Sequence, residues 1–377
     1  MKFKPAMRLQ GIEKSMIRQI SDLADGTCIN LGLGEPEFDT PPSLVHFARE
    51  TLLNQRLGYT SNAGLPELRK LLAERSGLGI DAESVCVTVG AQGAMYLAIM
   101  SVVNPGDEVL ITNPGFPAFT TIARIAGGVP VYVDLDRADG FAVTADAIAR
   151  RMSDRTKLII LNSPANPTGT VISAAELEKL AHLIDARECY VLSDETYNGL
   201  YYEQRPESIA RYSDKAIVIA SLSKSYSMTG WRLGWVIARP EIIRPVTVLN
   251  QYTASNAPTL SQRAAIQALK SAEVDRERLD LLGRFTRRRN LMLSLIQNVL
   301  QVPYINPLGA FYVFADFSRW GPSLELAKRL LAATKVVTIP GIAFGSRGEG
   351  FLRLSFAASE ENIEQGIKRI GEYLRGL

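Results

Sequence analysis

The chain has 377 residues, 46% of them apolar and 21% charged, with a formal net charge of +3. That length holds one large domain with a smaller companion, or two of middling size, and the composition supplies a substantial core. So small a charge excess gives no reason to expect a nucleic acid or an anionic membrane surface as partner.

The opening Met1-Lys2-Phe3-Lys4-Pro5 is not followed by the apolar run of a signal peptide, and no stretch approaches a membrane span. The expected location is therefore cytoplasmic. Over residues 7–24, Leu9, Ile12, Met16, Ile17, Ile20 and Leu23 recur at helical spacing, which predicts an amphipathic helix docked on the body of the protein. Seven short apolar, β-branched runs follow: Val85–Val89, Glu108–Thr112, Val129–Val133, Lys157–Leu161, Cys189–Leu192, Ala216–Ala220 and Leu233–Ile237. Most are continuous rather than alternating, as strands are when both faces of their sheet are covered. Helices are predicted between several of them, at 91–103 and at 174–187, the second with Leu177, Leu180, Ala181 and Ile184 on one face. This alternation predicts an α/β fold with a mostly parallel, seven-stranded sheet flanked by helices.

Beyond the last run, residues 274–300 read as one long helix. Its Arg287-Arg288-Arg289 is balanced by Asp275, Glu277 and Asp280, so a solvated or inter-domain face is expected. A final helix at 359–375, capped by Ser359, would bury Ile363, Ile367, Ile370 and Leu374. The predicted organisation is a large α/β domain over residues 40–275 and a smaller α+β domain from 1–39 and 276–377. Cys28, Cys86 and Cys189 are scattered and form no CxxC pair, so they read as reduced thiols. His46 and His182 have no partners at metal-ligand spacing, so neither a metal site nor a His-based triad is expected.

In open α/β sheets, ligands bind outside the carboxyl ends of the strands. Five of the predicted strands end in unusual residues: Gly90-Ala91-Gln92-Gly93, Asn113-Pro114-Gly115-Phe116, Asn162 to Gly169 with Asn166 inside it, Asp194-Glu195-Thr196-Tyr197, and Ser221-Leu222-Ser223-Lys224 with Arg232 eight residues on. Each has an ordinary explanation as a turn, cap or surface residue; together at one sheet edge they suggest a site. A partly desolvated lysine is an amine nucleophile toward an aldehyde. A helix N-terminus of small residues, with Ser221 and Arg232, suits a phosphate. A buried carboxylate keeps a pyridine nitrogen protonated, which makes that ring an electron sink. An aromatic face stacks on it. Aldehyde, phosphate, pyridine nitrogen and ring face together describe pyridoxal 5'-phosphate.

The run Ser221-Leu222-Ser223-Lys224-Ser225-Tyr226-Ser227-Met228-Thr229-Gly230-Trp231-Arg232-Leu233-Gly234-Trp235 closely resembles the lysine motif of class I/II aminotransferases, the aspartate-aminotransferase-like group of fold type I. Further signatures appear in order: Leu33 to Pro41, Tyr59 to Arg69, Asn162 to Gly169, Asp194 to Tyr197, Pro307 to Tyr312, and Arg353 to Phe356. The resemblance spans residues 30–375. It implies that Lys224 carries the cofactor as a Schiff base and then moves the substrate α-proton, and that Asp194 pairs with the pyridinium nitrogen. It implies that Asn166 and Tyr197 bind the ring hydroxylate, Phe116 stacks on the ring, and Ala91, Gln92, Ser221, Ser223 and Arg232 hold the phosphate. Arg353 would clamp the substrate α-carboxylate, Gly34 would let the N-terminal segment approach it, and Tyr59 would reach the phosphate of a neighbouring subunit in a homodimer with shared active sites.

One position departs from the pattern. Some dicarboxylate-specific members carry an arginine ahead of a Ser-Asn pair; here Gln251 precedes Ser255-Asn256. The amino donor is therefore left open. The expected activity is transfer of an amino group from an L-amino acid to a 2-oxo acid by a ping-pong mechanism. C–S lyases, amino-acid decarboxylases and cyclopropane-carboxylate synthases share the fold and cofactor residues, and Met228 to Gly234 with Arg353 favours transamination over them. Regulators that carry such a domain behind a DNA-binding module are disfavoured, because the pattern begins near residue 30.

Overall fold

The computed structural model describes residues 3–376; the first two positions and the last position of the expected small domain lie outside the described residues. In chain order the strands are β1 Ile29–Asn30, β2 Val85–Val89, β3 Glu108–Asn113, β4 Val129–Asp134, β5 Thr156–Asn162, β6 Tyr190–Asp194, β7 Ala216–Ser221, β8 Leu233–Ile237, β9 Tyr304–Ile305, β10 Tyr312–Asp316, β11 Val336–Val337, β12 Ile339–Pro340 and β13 Phe351–Ser355. Seven of them form one sheet in the order β2-β8-β7-β6-β5-β3-β4. All run parallel except β8, which is antiparallel to both its neighbours.

Both faces of this sheet are covered, which explains the continuous apolar runs. In β3 and β5, Val109, Ile111, Leu158 and Ile160 point to one side, where they pack with Ala94, Leu97 and Ala98 of the helix Gly90–Val102 and Ile243 of the helix Pro240–Thr253. Leu110, Ile159 and Leu161 point to the other side, against Leu177, Leu180 and Ile184 of the helix Ala174–Asp185. The period of two along each strand sorts neighbouring residues to opposite layers. β4 is an edge strand with Val129 and Tyr132 partly in solvent, which is where Pro130 can sit without removing a needed ladder bond.

A second, antiparallel sheet has the order β12-β13-β10-β9. Leu352 and Leu354 of β13 face Phe285 and Met292 of the long helix Ala272–Leu295 and Ile363, Ile367 and Ile370 of the final helix Glu360–Arg375. Ser359 caps that last helix, accepting a bond from the Asn362 N–H. Arg353 lies between Leu352 and Leu354 on β13 and is therefore turned to the opposite face, toward the large sheet. The N-terminal segment adds a short two-stranded sheet, in which β1 pairs with β11.

Two expectations change in detail. The predicted helix over 7–24 is instead a 3-10 turn at Met7–Leu9 and a short helix at Met16–Asp22, leaving Leu9 and Leu23 exposed. Gly11 adopts a left-handed φ of 72° that stops the first turn, and Ser15 starts the second by accepting from the Arg18 N–H. The long helix ends at Leu295 and continues as a π turn over Ile296–Leu300. Within its basic run, Arg288 is buried, donates to the Ala357 carbonyl at 2.7 Å, and lies 4.0 Å over the Phe38 ring, so the middle arginine ties the N-terminal segment to this layer. Cys86 and Cys189 are buried, Cys28 is half-buried, and all three are unpaired. No helix among the described residues is long and apolar enough to cross a membrane.

Candidate active site

Because β2, β3, β5, β6 and β7 run in one direction, their carboxyl ends meet along a single edge. A cavity of about 250 Å³ opens there. Of the residues singled out from the sequence, Gly34, Ala91, Gln92, Phe116, Asn166, Asp194, Tyr197, Ser221, Ser223, Lys224, Arg232 and Arg353 all line it. Tyr59 does not; it is 93% exposed on the surface.

One end of the cavity is built to receive an anion. The helix Gly90–Val102 starts directly after β2, and its first backbone N–H groups have no acceptor within the helix. Gly234 on β8 lets this turn approach closely: a Cβ there would stand 2.5 Å from the Ala91 nitrogen. Gly90 has φ +71°, and a Cβ on it would stand 2.5 Å from Nη2 of Arg232. Arg232 is itself left-handed and donates from Nη1 to the Thr229 carbonyl at 2.8 Å. It has no acidic partner among the described residues. The hydroxyls of Ser221 and Ser223 lie on the same wall, with the Ser223 N–H donating to the Ser221 Oγ at 3.3 Å.

Lys224 extends from the loop after β7 and donates from Nζ to the Gly34 carbonyl at 2.6 Å. Burial pushes its pKa down to about 8; Arg232 and Arg353 act in the same direction, while Glu35 and Asp194 oppose them. An ordinary lysine is almost wholly protonated at neutral pH, whereas this one is partly a free nucleophile. In the cofactor-free protein, labelling of Lys224 by an amine-directed reagent should rise with pH to a midpoint near 8, read by peptide mass spectrometry. The neutral amine is the reactive form, so the rate must increase with pH; a midpoint near that of an ordinary lysine would contradict the burial argument.

Asp194, the last residue of β6, is buried. Its Oδ1 accepts from the Thr196 N–H at 3.1 Å and the Thr196 hydroxyl at 2.6 Å. Burial raises its pKa, and the two Thr196 bonds oppose that rise. Among the described residues no lysine or arginine forms an ion pair with it, and the Lys224 charge only partly opposes the rise, so a cation entering the cavity would meet a carboxylate free of any salt bridge.

Arg353 is 2% exposed. Its Nη1 donates to Asn166 Oδ1 at 2.8 Å and its Nη2 to the Gly32 carbonyl at 2.6 Å. The guanidinium lies 4.2 Å over the Tyr312 ring and 5.1 Å from that of Phe344. Its Nε is buried with no partner among the described residues. No carboxylate among the described residues neutralises it, and burial lowers its pKa. A buried cation without a counter-charge costs several kcal/mol. Such an arrangement fits a wall that an anionic ligand completes.

Several wall residues had no assigned role from the sequence. Asn162 accepts from the Asn166 N–H at 2.7 Å and donates to the Asp194 carbonyl at 3.1 Å, so it sets two neighbouring loops. Thr196 holds Asp194. The Tyr312 hydroxyl meets the Tyr197 hydroxyl at 2.8 Å. Thr196 and Tyr312 stand inside the recognised motifs, and that was their only signal; Ile17, from the N-terminal helix, had none. A wider space of about 660 Å³ continues outward past Ile17, Leu33, Phe116 and Ile122.

A family model described as aminotransferase class I and II matches residues 26–370. A probable aspartate aminotransferase of Methanocaldococcus jannaschii is 36% identical, over 97% of this chain and 98% of its own length. A (5-formylfuran-3-yl)methyl phosphate transaminase of the same organism is 37% identical, over 92% of this chain and 91% of its own. The solved structure of Thermus thermophilus aspartate aminotransferase with maleate superposes with a TM-score of 0.93 at 32% identity, covering 98% of this chain and 100% of that one. Matched along nearly its whole length in sequence and in fold, the chain belongs to the class I and II aminotransferases.

Proposed function

We propose that this protein uses pyridoxal 5'-phosphate to move an amino group from an L-amino acid to a 2-oxo acid in two half-reactions. The observation that carries this is the charge pattern of the cavity. Arg232 and Arg353, which have no acidic partner among the described residues, share it with a lysine of lowered pKa and a buried carboxylate that forms no salt bridge among them.

The residues present fit the cofactor. The Gly90–Val102 helix N-terminus, Ser221, Ser223 and Arg232 would hold its phosphate, and Phe116 its ring face. Asp194 would hold a proton on the pyridine nitrogen, favoured by the absence of any salt bridge to the carboxylate among the described residues. Asn166 and Tyr197 would bind the ring hydroxyl oxygen. When bound, the cofactor supplies an aldehyde that exchanges amino groups and a protonated ring that withdraws electrons from the substrate Cα. Lys224 would hold the aldehyde covalently and, once released by substrate, move the proton at Cα. Arg353 would bind the α-carboxylate through the donor capacity left on its guanidinium, orienting the Cα–H toward Lys224.

Residues 40–275 would act as the large cofactor-binding domain, with 1–39 and 276–377 closing over it. The exposure of Tyr59, together with Val248 and Tyr252, supports a homodimer in which Tyr59 reaches the partner's phosphate. Three unpaired cysteines support a reducing, cytoplasmic compartment. Relatives named for substrates as different as aspartate and a furan methyl phosphate leave the donor's side chain to experiment.

The test is an absorbance spectrum of the purified protein, before and after single amino acids are added without any oxo acid. The visible cofactor band should bleach with particular amino acids and return when a 2-oxo acid is added. Release of ammonia and an oxo acid, or of CO2, with the band intact would establish lyase or decarboxylase chemistry instead. No band after incubation with pyridoxal 5'-phosphate would overturn the cofactor assignment.

A further inference from the structure

Tyr312 is a buried phenol at the junction of three parts of the site. Its hydroxyl is 2.8 Å from that of Tyr197. Its ring carries the Arg353 guanidinium at 4.2 Å. A Cβ on Gly34 would lie 3.0 Å from its hydroxyl, so the N-terminal segment closes the remaining side.

The direction of the phenol–phenol bond follows from what surrounds it. Among the described residues, the Tyr312 hydroxyl has no acceptor other than the Tyr197 oxygen. Both phenols line the cavity, and what distinguishes them is the Arg353 guanidinium, which lies 4.2 Å over the Tyr312 ring. If Tyr312 donates, both protons are used: the Tyr197 hydroxyl accepts one bond and keeps its own proton for the cavity that it lines. The cation over the Tyr312 ring makes that phenol a stronger donor, and a hydroxyl that accepts one bond donates the next more strongly.

We propose that Tyr312 is a positioning residue that donates to Tyr197 and so directs and strengthens the Tyr197 hydroxyl as a donor to the cofactor's ring oxygen. This rests on the cofactor assignment above and adds to it a residue that acts on the ring oxygen through Tyr197. The charged and titratable groups facing the Tyr197 hydroxyl are Tyr312, Arg353 and Asp194. Among the described residues only Tyr312 is bonded to it.

A stronger bond to the ring oxygen stabilises its deprotonated form, so weakening that bond must raise the pH at which the cofactor chromophore titrates. The experiment is a spectral pH titration of four holoenzymes: wild type, Tyr312→Phe, Tyr197→Phe and the double variant. Tyr312→Phe removes one oxygen and keeps the ring under Arg353. It should raise the spectral midpoint by about half to one pH unit. Tyr197→Phe should raise it further, and adding Tyr312→Phe to Tyr197→Phe should change nothing more. An unchanged midpoint in Tyr312→Phe would overturn the proposal. So would an equal shift in both backgrounds, since Tyr312 would then act without Tyr197. Loss of cofactor from Tyr312→Phe would also overturn it, because the proposal gives Tyr312 no part in holding the group. A wild-type protein with no chromophore would instead remove the cofactor assignment itself.

Discussion

Lys224→Ala is expected to lose transamination by roughly 10³-fold or more, the range a positioned general base supplies, while its fold and melting temperature stay close to wild type. Lys224 makes one side-chain bond, to the Gly34 carbonyl, and no ion pair among the described residues. Removing a partly desolvated amine leaves little unsatisfied, so stability should hardly register the loss. Two measurements check this: steady-state turnover, and borohydride treatment followed by mass spectrometry of the peptide that contains position 224. Wild type should gain a permanent cofactor adduct on that peptide and the variant none. Near-normal turnover in Lys224→Ala would remove the catalytic assignment, whatever the adduct result.

Arg353→Met should separate substrate recognition from folding in the opposite sense to an ordinary buried residue. Truncating one partner of a buried, hydrogen-bonded charge pair costs about 2–5 kcal/mol. The kcat/KM for an amino acid should therefore fall roughly 10²- to 10³-fold. An amine that lacks the carboxylate should show no comparable drop. Without ligand, the variant should melt at or above the wild-type temperature, because a buried guanidinium without a carboxylate partner is a burden on the folded state. The loss of bonds to Asn166 and Gly32 works against this, and methionine recovers part of the packing over Tyr312. Equal losses with both kinds of substrate, or an unchanged KM for the amino acid, would sink the carboxylate role. A large fall in melting temperature would show Arg353 to be structural.

The apolar runs were good guides to the strands. Val85–Val89 and Leu233–Ile237 agree residue for residue with β2 and β8, and the other five differ by one or two positions at their ends. Strand order was not legible. Nothing in Leu233–Ile237 announces that it inserts between β2 and β7 and runs against both. The N-terminal helix was over-read because helical spacing alone does not register a left-handed glycine inside the window.

The site divides in the same way. Asp194 and Ser221 end strands, and Gly90, Ala91, Gln92, Asn166 and Lys224 follow strand ends within a few positions, so knowing where strands end was enough to nominate them. Arg353 had no local signal and came from the family resemblance. Its neighbours show why: Asn166 is 187 positions away in the chain, and Gly32 is 321. The Tyr197–Tyr312 pair is 115 apart.

Element type, the two covered faces of the sheet and the strand-end residues are legible in the chain because they arise from side-chain period and turn chemistry over a few positions. The depressed pKa of Lys224, the guanidinium of Arg353 without a carboxylate and the bond between two buried phenols arise only on folding. Each depends on burial and on partners from remote segments, and the order of strands alone brings those together.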